Sequence, residues 1–100
     1  MNYAITDSGG VTEISLSGRL TFSEAPQFPK ILAELDKAGK TRWDVRLDQL
    51  DFIDSTGMSL FIHIYDAANK EGAKVVIHGC RGAVRDALGR AAFETLFEFQ

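Results

Sequence analysis

The stretch LDQLDFIDSTGMSLF, residues 47–61, joins a predicted strand to a predicted helix. Just before and into it, charged and apolar residues alternate, which is the period of a strand with one buried face. From Ser55 to about Asn69, apolar side chains recur at helical spacing. Asp54 and Ser55 both suit an N-cap, and a carboxylate also suits the positive end of a helix. The apolar positions behind these two patterns are Trp43, Val45, Leu47, Met58, Phe61, Ile62 and Tyr65.

On the N-terminal side of this corner, the sequence predicts a β-hairpin followed by a helix. Alternating apolar residues flank the turn-forming DSGG, and Gly18 is expected to end the second strand. The helix is expected to begin with Thr21 or Ser23 as its N-cap and to end at Gly39. Pro29 is costly inside a helix, so it favours a late start or a kinked first turn.

On the C-terminal side, AKVVIHG predicts a short strand, and apolar residues at helical spacing from Val84 to Ala92 predict a last helix. Residues 93–100 fit either an extension of that helix or a short edge strand. The order β, β, α, β, α, β, α predicts one α/β domain over residues 1–100. Its mixed sheet begins with the N-terminal hairpin, continues in parallel β/α units and carries helices packed on it.

Three loops follow strands of the predicted parallel sheet, namely residues 18–23, 48–56 and 79–82. We expect all three at the edge where open α/β sheets place their binding residues, with the Asp54 corner in the middle.

Composition excludes several classes of function. The net charge of −3 and pI near 5.2 argue against nucleic acid as a partner, because nucleic-acid modules carry a basic face. No apolar run approaches the ~18 residues that a membrane span needs, and the N-terminus does not resemble a signal peptide. We therefore expect a cytoplasmic chain with no membrane insertion. Cys80, the single cysteine, has no partner at metal spacing and is expected to be an ordinary packing or loop residue.

Catalytic interpretations of the corner fit less well. A nucleophile elbow requires Gly-x-Ser-x-Gly, and Ile53 stands at the first glycine position. Neither His63 nor His78 is placed by the pattern as a base for Ser55. An aspartic protease motif would need glycine one residue closer to Asp54, a receiver domain would need a further acidic pair, and phosphate-binding glycine loops do not occur. We predict no enzyme activity, no metal and no cofactor, and a small serine hydrolase is the catalytic alternative.

The stretch 47–61 resembles the central signature of the STAS domain family, which includes bacterial anti-sigma factor antagonists and the cytoplasmic tails of sulphate transporters. In that signature, a strand ending in Leu-Asp leads through an apolar turn to Asp-Ser-Ser/Thr-Gly and an apolar helix. SGRLTFSEAPQF is similar to the family's first loop and helix, and the β/α order matches over nearly the whole chain. Thr21 departs from the pattern, because antagonists often have an acidic residue there.

The resemblance implies a partner-switching adaptor. An anti-sigma factor that is also a serine kinase would phosphorylate Ser55, a serine phosphatase would reverse the reaction, and only the unmodified form would bind the anti-sigma factor. Asp54, Thr56 and Gly57 would frame the phosphorylation site. The residues expected to contact the partner are Thr21, Ser23, Asp51, Asp54, Ser55, Thr56, Met58 and Arg81.

Charge supports a local switch, since a phosphate would add about −1.5 to −2 charges to a corner that already holds Asp48, Asp51 and Asp54. Arg19 and Arg81 lie in the other two predicted loops and are candidates to pair with a phosphate or an acidic partner. A constitutive STAS interaction subunit of a transporter or signalling complex, without phosphorylation, remains the alternative.

Overall fold

The computed structural model describes residues 1–38 and 41–100. The predicted helix stop at Gly39 lies outside these described residues. The elements, in chain order, are β1 (Asn2–Ser8), β2 (Val11–Leu20), a 3₁₀ helix (Phe22–Gln27), α1 (Phe28–Ala38), β3 (Arg42–Ile53), α2 (Ser55–Glu71), β4 (Lys74–His78), α3 (Gly82–Arg90), a second 3₁₀ helix (Phe93–Thr95) and β5 (Glu98–Phe99). None of the helices in the described residues is long and apolar enough to span a bilayer.

The five strands form one mixed sheet in the order β1-β2-β3-β4-β5. β1 and β2 are antiparallel, and every other pair of neighbours is parallel. The predicted fold class is therefore confirmed. The tail ends in the short strand β5, which pairs with β4, so the edge-strand alternative is the correct one.

A single hydrophobic core lies between the helices and one face of the sheet. Trp43, Val45 and Leu47 are almost fully buried, as their alternation predicts, and Leu60 and Phe61 of α2 pack into the same core. Each such side chain contributes about 1.5–3 kcal/mol by leaving water. Because α1, α2 and α3 all contribute buried residues to this core, the corner between β3 and α2 is held on a rigid base.

The third strand is longer than predicted. Two bulges disturb the period-two alternation from which its end is predicted. β3 continues to Ile53, so Asp48 and Asp51 lie on a strand and not in a loop. Two register shifts against β2 each place one extra residue on β3. Leu47, Leu50 and Ile53, three residues apart, therefore all point into the core, and the period-two pattern of a regular strand is lost.

β2 also extends further than predicted, because Gly18 does not end it. The strand continues to Leu20, with Gly18 at φ +85° beside one of the register shifts. Positive φ favours glycine, so this residue bends the strand without breaking it. Leu20 pairs with Ile53, and β2 and β3 thus end side by side.

The helix ends differ from expectation in two places. Thr21 does act as an N-cap, accepting a hydrogen bond from Ser23 N, but it begins a 3₁₀ helix, and α1 starts only at Phe28. Pro29 therefore sits in the first turn of α1, where its missing N–H leaves no hydrogen bond unmade. α3 ends at Arg90, so the prediction that its apolar face extends to Ala92 is wrong. Ala92 instead has a left-handed backbone conformation, with φ 58°.

Candidate functional site

Asp54 fastens two segments together at the corner. It N-caps α2, with its Oδ1 accepting a hydrogen bond from Gly57 N at 2.7 Å. Its Oδ2 accepts a second hydrogen bond, from Phe22 N at 3.0 Å, in the segment that follows β2. Hydrogen bonds to a charged acceptor are stronger than neutral ones. The carboxylate therefore holds the start of α2 against the end of β2.

Backbone contacts with Leu20 tighten the same junction. Asp54 N donates to Leu20 O at 3.2 Å. A Cβ added to Gly57 would overlap that carbonyl oxygen and lie 2.9 Å from its carbon, closer than real Cβ contacts come. Position 57 therefore requires glycine because of this close approach and not because of its backbone conformation, since its φ is not in the left-handed region.

Ser55 occupies the first position of α2 and is exposed. Within the described residues its hydroxyl makes no hydrogen bond, so the oxygen is available to a reactant from solvent. Thr56 is half-buried, and its carbonyl accepts a hydrogen bond from the Ser59 hydroxyl. Of the two neighbouring hydroxyls, Ser55 is the more accessible.

Exposed apolar side chains flank Ser55. Phe22, whose backbone N–H binds Asp54, is 70% exposed, and Ile62, two turns along α2, is 38% exposed. Met58 is half-buried and lies on α2 between Ser55 and Ile62, one turn after Ser55. Large apolar side chains grouped on a surface mark sites of protein contact. The corner thus combines an accessible hydroxyl with a surface suited to a protein partner.

A cleft of about 470 Å³ opens beside Ser55. One of its walls is formed by residues on and just after α3, which the sequence did not predict to be near Ser55. Its lining residues are Ile53, Asp54, Ser55 and Met58 on the corner side, and Ala87, Arg90 and Ala91 on and just after α3. Val84 and Leu88 are buried, and they place α3 against the sheet near the end of β3. The stripe of Val84 and Leu88 was the available signal, but it does not specify which basic residue faces the corner.

The other predicted contact residues fall into two groups. Thr21 and Ser23 lie on either side of Phe22, and Asp51 is exposed on β3 close to the corner. Arg81 lies elsewhere, donating from Nη2 to Asp48 O at 2.7 Å.

Arg81 is far from Ser55 because β4 is short. The strand ends at His78, which pairs with Arg46, whereas β3 runs seven residues further. The third predicted loop, residues 79–82, does lie against the stretch 48–56, but it contacts Asp48 and Gln49 at the start of that stretch and not Ser55. Arg19, the remaining phosphate-pairing candidate, has its guanidinium 4.2 Å from the centre of the Phe52 ring.

Cys80 lies in the loop between β4 and α3 and is half-buried. Burial raises the pKa of its thiol, and the charge of Arg85 only partly opposes this effect. A raised pKa leaves little reactive thiolate near neutral pH. Within residues 1–38 and 41–100, no group of three or more His, Cys, Asp or Glu side chains could hold a metal ion.

Asp44 anchors a charged cluster on the helix-free face of the sheet. Its Oδ1 lies 2.8 Å from Arg42 Nε and 3.5 Å from His78 Nε2. Burial alone would raise the pKa of this carboxyl, but the hydrogen bond and charge of Arg42, assisted by the nearby His78, outweigh that effect and lower it. This cluster lies beside β4, away from Ser55, and ties the parallel strands together.

Comparison with known proteins gives consistent results. The family model described as "Mlab, STAS domain" matches residues 3–98. The anti-sigma-B factor antagonist of Staphylococcus aureus is 27% identical over 90 residues, which cover 90% of this chain and 80% of that protein.

Two solved structures illustrate the likeness in fold. An anti-sigma factor antagonist from Mycobacterium paratuberculosis superposes with a TM-score of 0.85 at 18% identity, covering 98% of this chain and 83% of the other. The Bacillus cell fate determinant SpoIIAA in its phosphorylated form gives a TM-score of 0.74 at 14% identity, covering 99% and 91%.

Proposed function

The chain belongs to the STAS domain family, and we propose that it is a single-domain anti-sigma factor antagonist over residues 1–100. In this proposal it binds an anti-sigma factor that is also a serine kinase. That partner phosphorylates Ser55, a serine phosphatase removes the phosphate, and only the unmodified form binds. The named antagonist among its relatives supports a regulatory binding protein over an enzyme.

The observation that carries this proposal is the position of Ser55. It is an exposed hydroxyl on the first residue of α2, on the same helix face as Met58 and Ile62 and next to Asp54, which binds the N–H of the exposed Phe22. A kinase can reach it, and a partner that covers the apolar side chains also covers the hydroxyl. One site thus serves both binding and modification.

Electrostatics explains how the modification would act locally. Phosphate adds about −1.5 to −2 charges beside Asp51 and Asp54. A docked partner would have to desolvate this group, and a loss of 1.4 kcal/mol already weakens a complex about tenfold. Asp54 holds the corner through backbone N–H groups alone, so the fold does not depend on the Ser55 side chain.

The serine hydrolase alternative finds no support in the described residues. His78 contacts Asp44 on the helix-free face of the sheet, and His63 is exposed on α2 eight residues beyond Ser55. Neither histidine makes a hydrogen bond to Ser55 in the part of the chain that the structure describes. Ser55 is therefore proposed as the hydroxyl that a kinase phosphorylates and not as the catalytic serine of a hydrolase.

Phosphorylation is tested by incubating the protein with the serine kinase anti-sigma factor of the same organism and ATP, followed by mass spectrometry. We expect one phosphate on Ser55, none on a Ser55→Ala variant, and undiminished modification of a Thr56→Ala variant. If the wild-type protein binds the kinase yet remains unmodified, the constitutive interaction subunit becomes the better description. If phosphate is found on Thr56 instead, the assignment of Ser55 is wrong.

A further inference from the structure

Arg90 is the cationic residue that lines the cleft beside Ser55. It is the last residue of α3, and its neighbours on that wall, Ala87 and Ala91, are small and uncharged. The opposite wall holds Ser55 itself and the capping carboxylate of Asp54. A group attached to the Ser55 oxygen would therefore extend from one wall of a cleft whose other wall is positively charged.

The other five arginines of the chain have partners, whereas Arg90 does not in the described residues. Two lie over aromatic rings, two form ion pairs and one donates to a backbone carbonyl: these are Arg19 and Arg85, Arg42 and Arg46, and Arg81, respectively. Asp86 lies one turn earlier on α3, but within the described residues Arg90 forms no ion pair with its carboxylate. Its guanidinium is free to bind a ligand that enters the cleft.

We propose that Arg90 binds the phosphate on Ser55 across this cleft, which rests on the proposed phosphorylation of that serine. Guanidinium and phosphate form two parallel, charge-assisted hydrogen bonds, and such pairs are among the strongest in proteins. Arg90 forms no ion pair with Asp54 in the described residues, and each oxygen of that carboxylate accepts a backbone N–H group.

The pair has two consequences for the switch. Arg90 favours the dianion of the phosphate and so lowers its second pKa, whose ordinary value is about 6. It also joins the start of α2 to the end of α3 and partly covers the phosphate. Binding by Arg90 would therefore slow removal of the phosphate.

The test uses the full chain carrying phosphoserine at position 55, installed by genetic encoding, so that no natural kinase is needed. The second pKa of the phosphate is measured by ³¹P NMR in wild type, Arg90→Gln and Arg90→Lys. Arg85→Gln is the matched control, because it removes the same charge from the same helix but its side chain lies over Phe99. The rate of dephosphorylation by a broad-specificity phosphatase is recorded alongside.

We expect Arg90→Gln to raise the second pKa by about 0.5 unit or more, with Arg90→Lys in between and Arg85→Gln unchanged from wild type. We also expect Arg90→Gln to lose its phosphate several-fold faster. Equal pKa values in wild type and Arg90→Gln, or equal shifts in Arg90→Gln and Arg85→Gln, would overturn the inference. If the kinase never modifies Ser55, the proposed function is refuted, but the pairing of Arg90 with an encoded phosphoserine at position 55 can still be measured.

Discussion

Replacing Asp54 with alanine should destabilise the protein by about 2 kcal/mol. The change removes the N-cap bond to Gly57 N, typically worth about 1 kcal/mol. It also removes the 3.0 Å bond to Phe22 N, worth about 1 kcal/mol at this solvent-exposed position. For a domain of this size, 1 kcal/mol corresponds to a shift of about 4–8 °C in Tm, so we expect a decrease of about 8–16 °C.

Urea denaturation gives the free energy of unfolding, and Asp51→Ala is the matched control. Asp51 is an exposed carboxylate three residues earlier on β3, and its loss should change stability by less than about 0.5 kcal/mol. Amide hydrogen exchange adds a local readout, because Phe22 and Gly57 N–H should both lose protection in Asp54→Ala. If Asp54→Ala were no less stable than Asp51→Ala, the idea that this carboxylate fastens the corner would be refuted.

Three further substitutions test other parts of the account. Gly57→Ala should destabilise by about 3 kcal/mol or more, since its Cβ would overlap the Leu20 carbonyl, whereas Gly10→Ala, where a Cβ meets nothing within 4 Å, should be tolerated; urea denaturation of both variants checks this. Asp44→Asn should reduce the loss of unfolding free energy that the wild type shows as the pH is lowered into the acid range, as measured by urea denaturation at a series of pH values. In the wild type the folded-state pKa of Asp44 is depressed, so its contribution is full above the ordinary value of 3.8 and is lost as pH falls through the lower folded value; unchanged slopes in the two proteins would contradict this. Phe22→Ser should weaken binding of the anti-sigma factor at least tenfold with an unchanged melting temperature, because the side chain is 70% exposed; calorimetric titration that finds equal affinity would remove this side chain from the interface.

The sequence predicts the corner well because its signals are local. Asp54 has the chemistry of an N-cap, and the stripe that includes Phe61 has helical period, so α2 begins at Ser55 as expected. The need for glycine at position 57 is less visible, because it arises from the carbonyl of Leu20, which is distant in sequence.

The extent of β3 and the second wall of the cleft could not be predicted for the same reason. The bulges that bring Leu50 and Ile53 into the core depend on pairing with β2, and a periodicity argument assumes a regular strand. Arg90 lines the cleft beside the corner because α3 packs on the sheet near the end of β3, and its place there depends on tertiary packing. By the same geometry Arg81, a phosphate-pairing candidate from its place in the predicted loop, contacts Asp48 instead.

The most direct test of the central claim is the affinity of the anti-sigma factor for the two forms of this protein. Isothermal titration calorimetry with the unmodified chain and with the chain carrying phosphoserine at position 55 gives both dissociation constants under one set of conditions. We predict that the phosphorylated form binds at least tenfold more weakly, which corresponds to a loss of about 1.4 kcal/mol or more. Equal dissociation constants for the two forms would contradict the account.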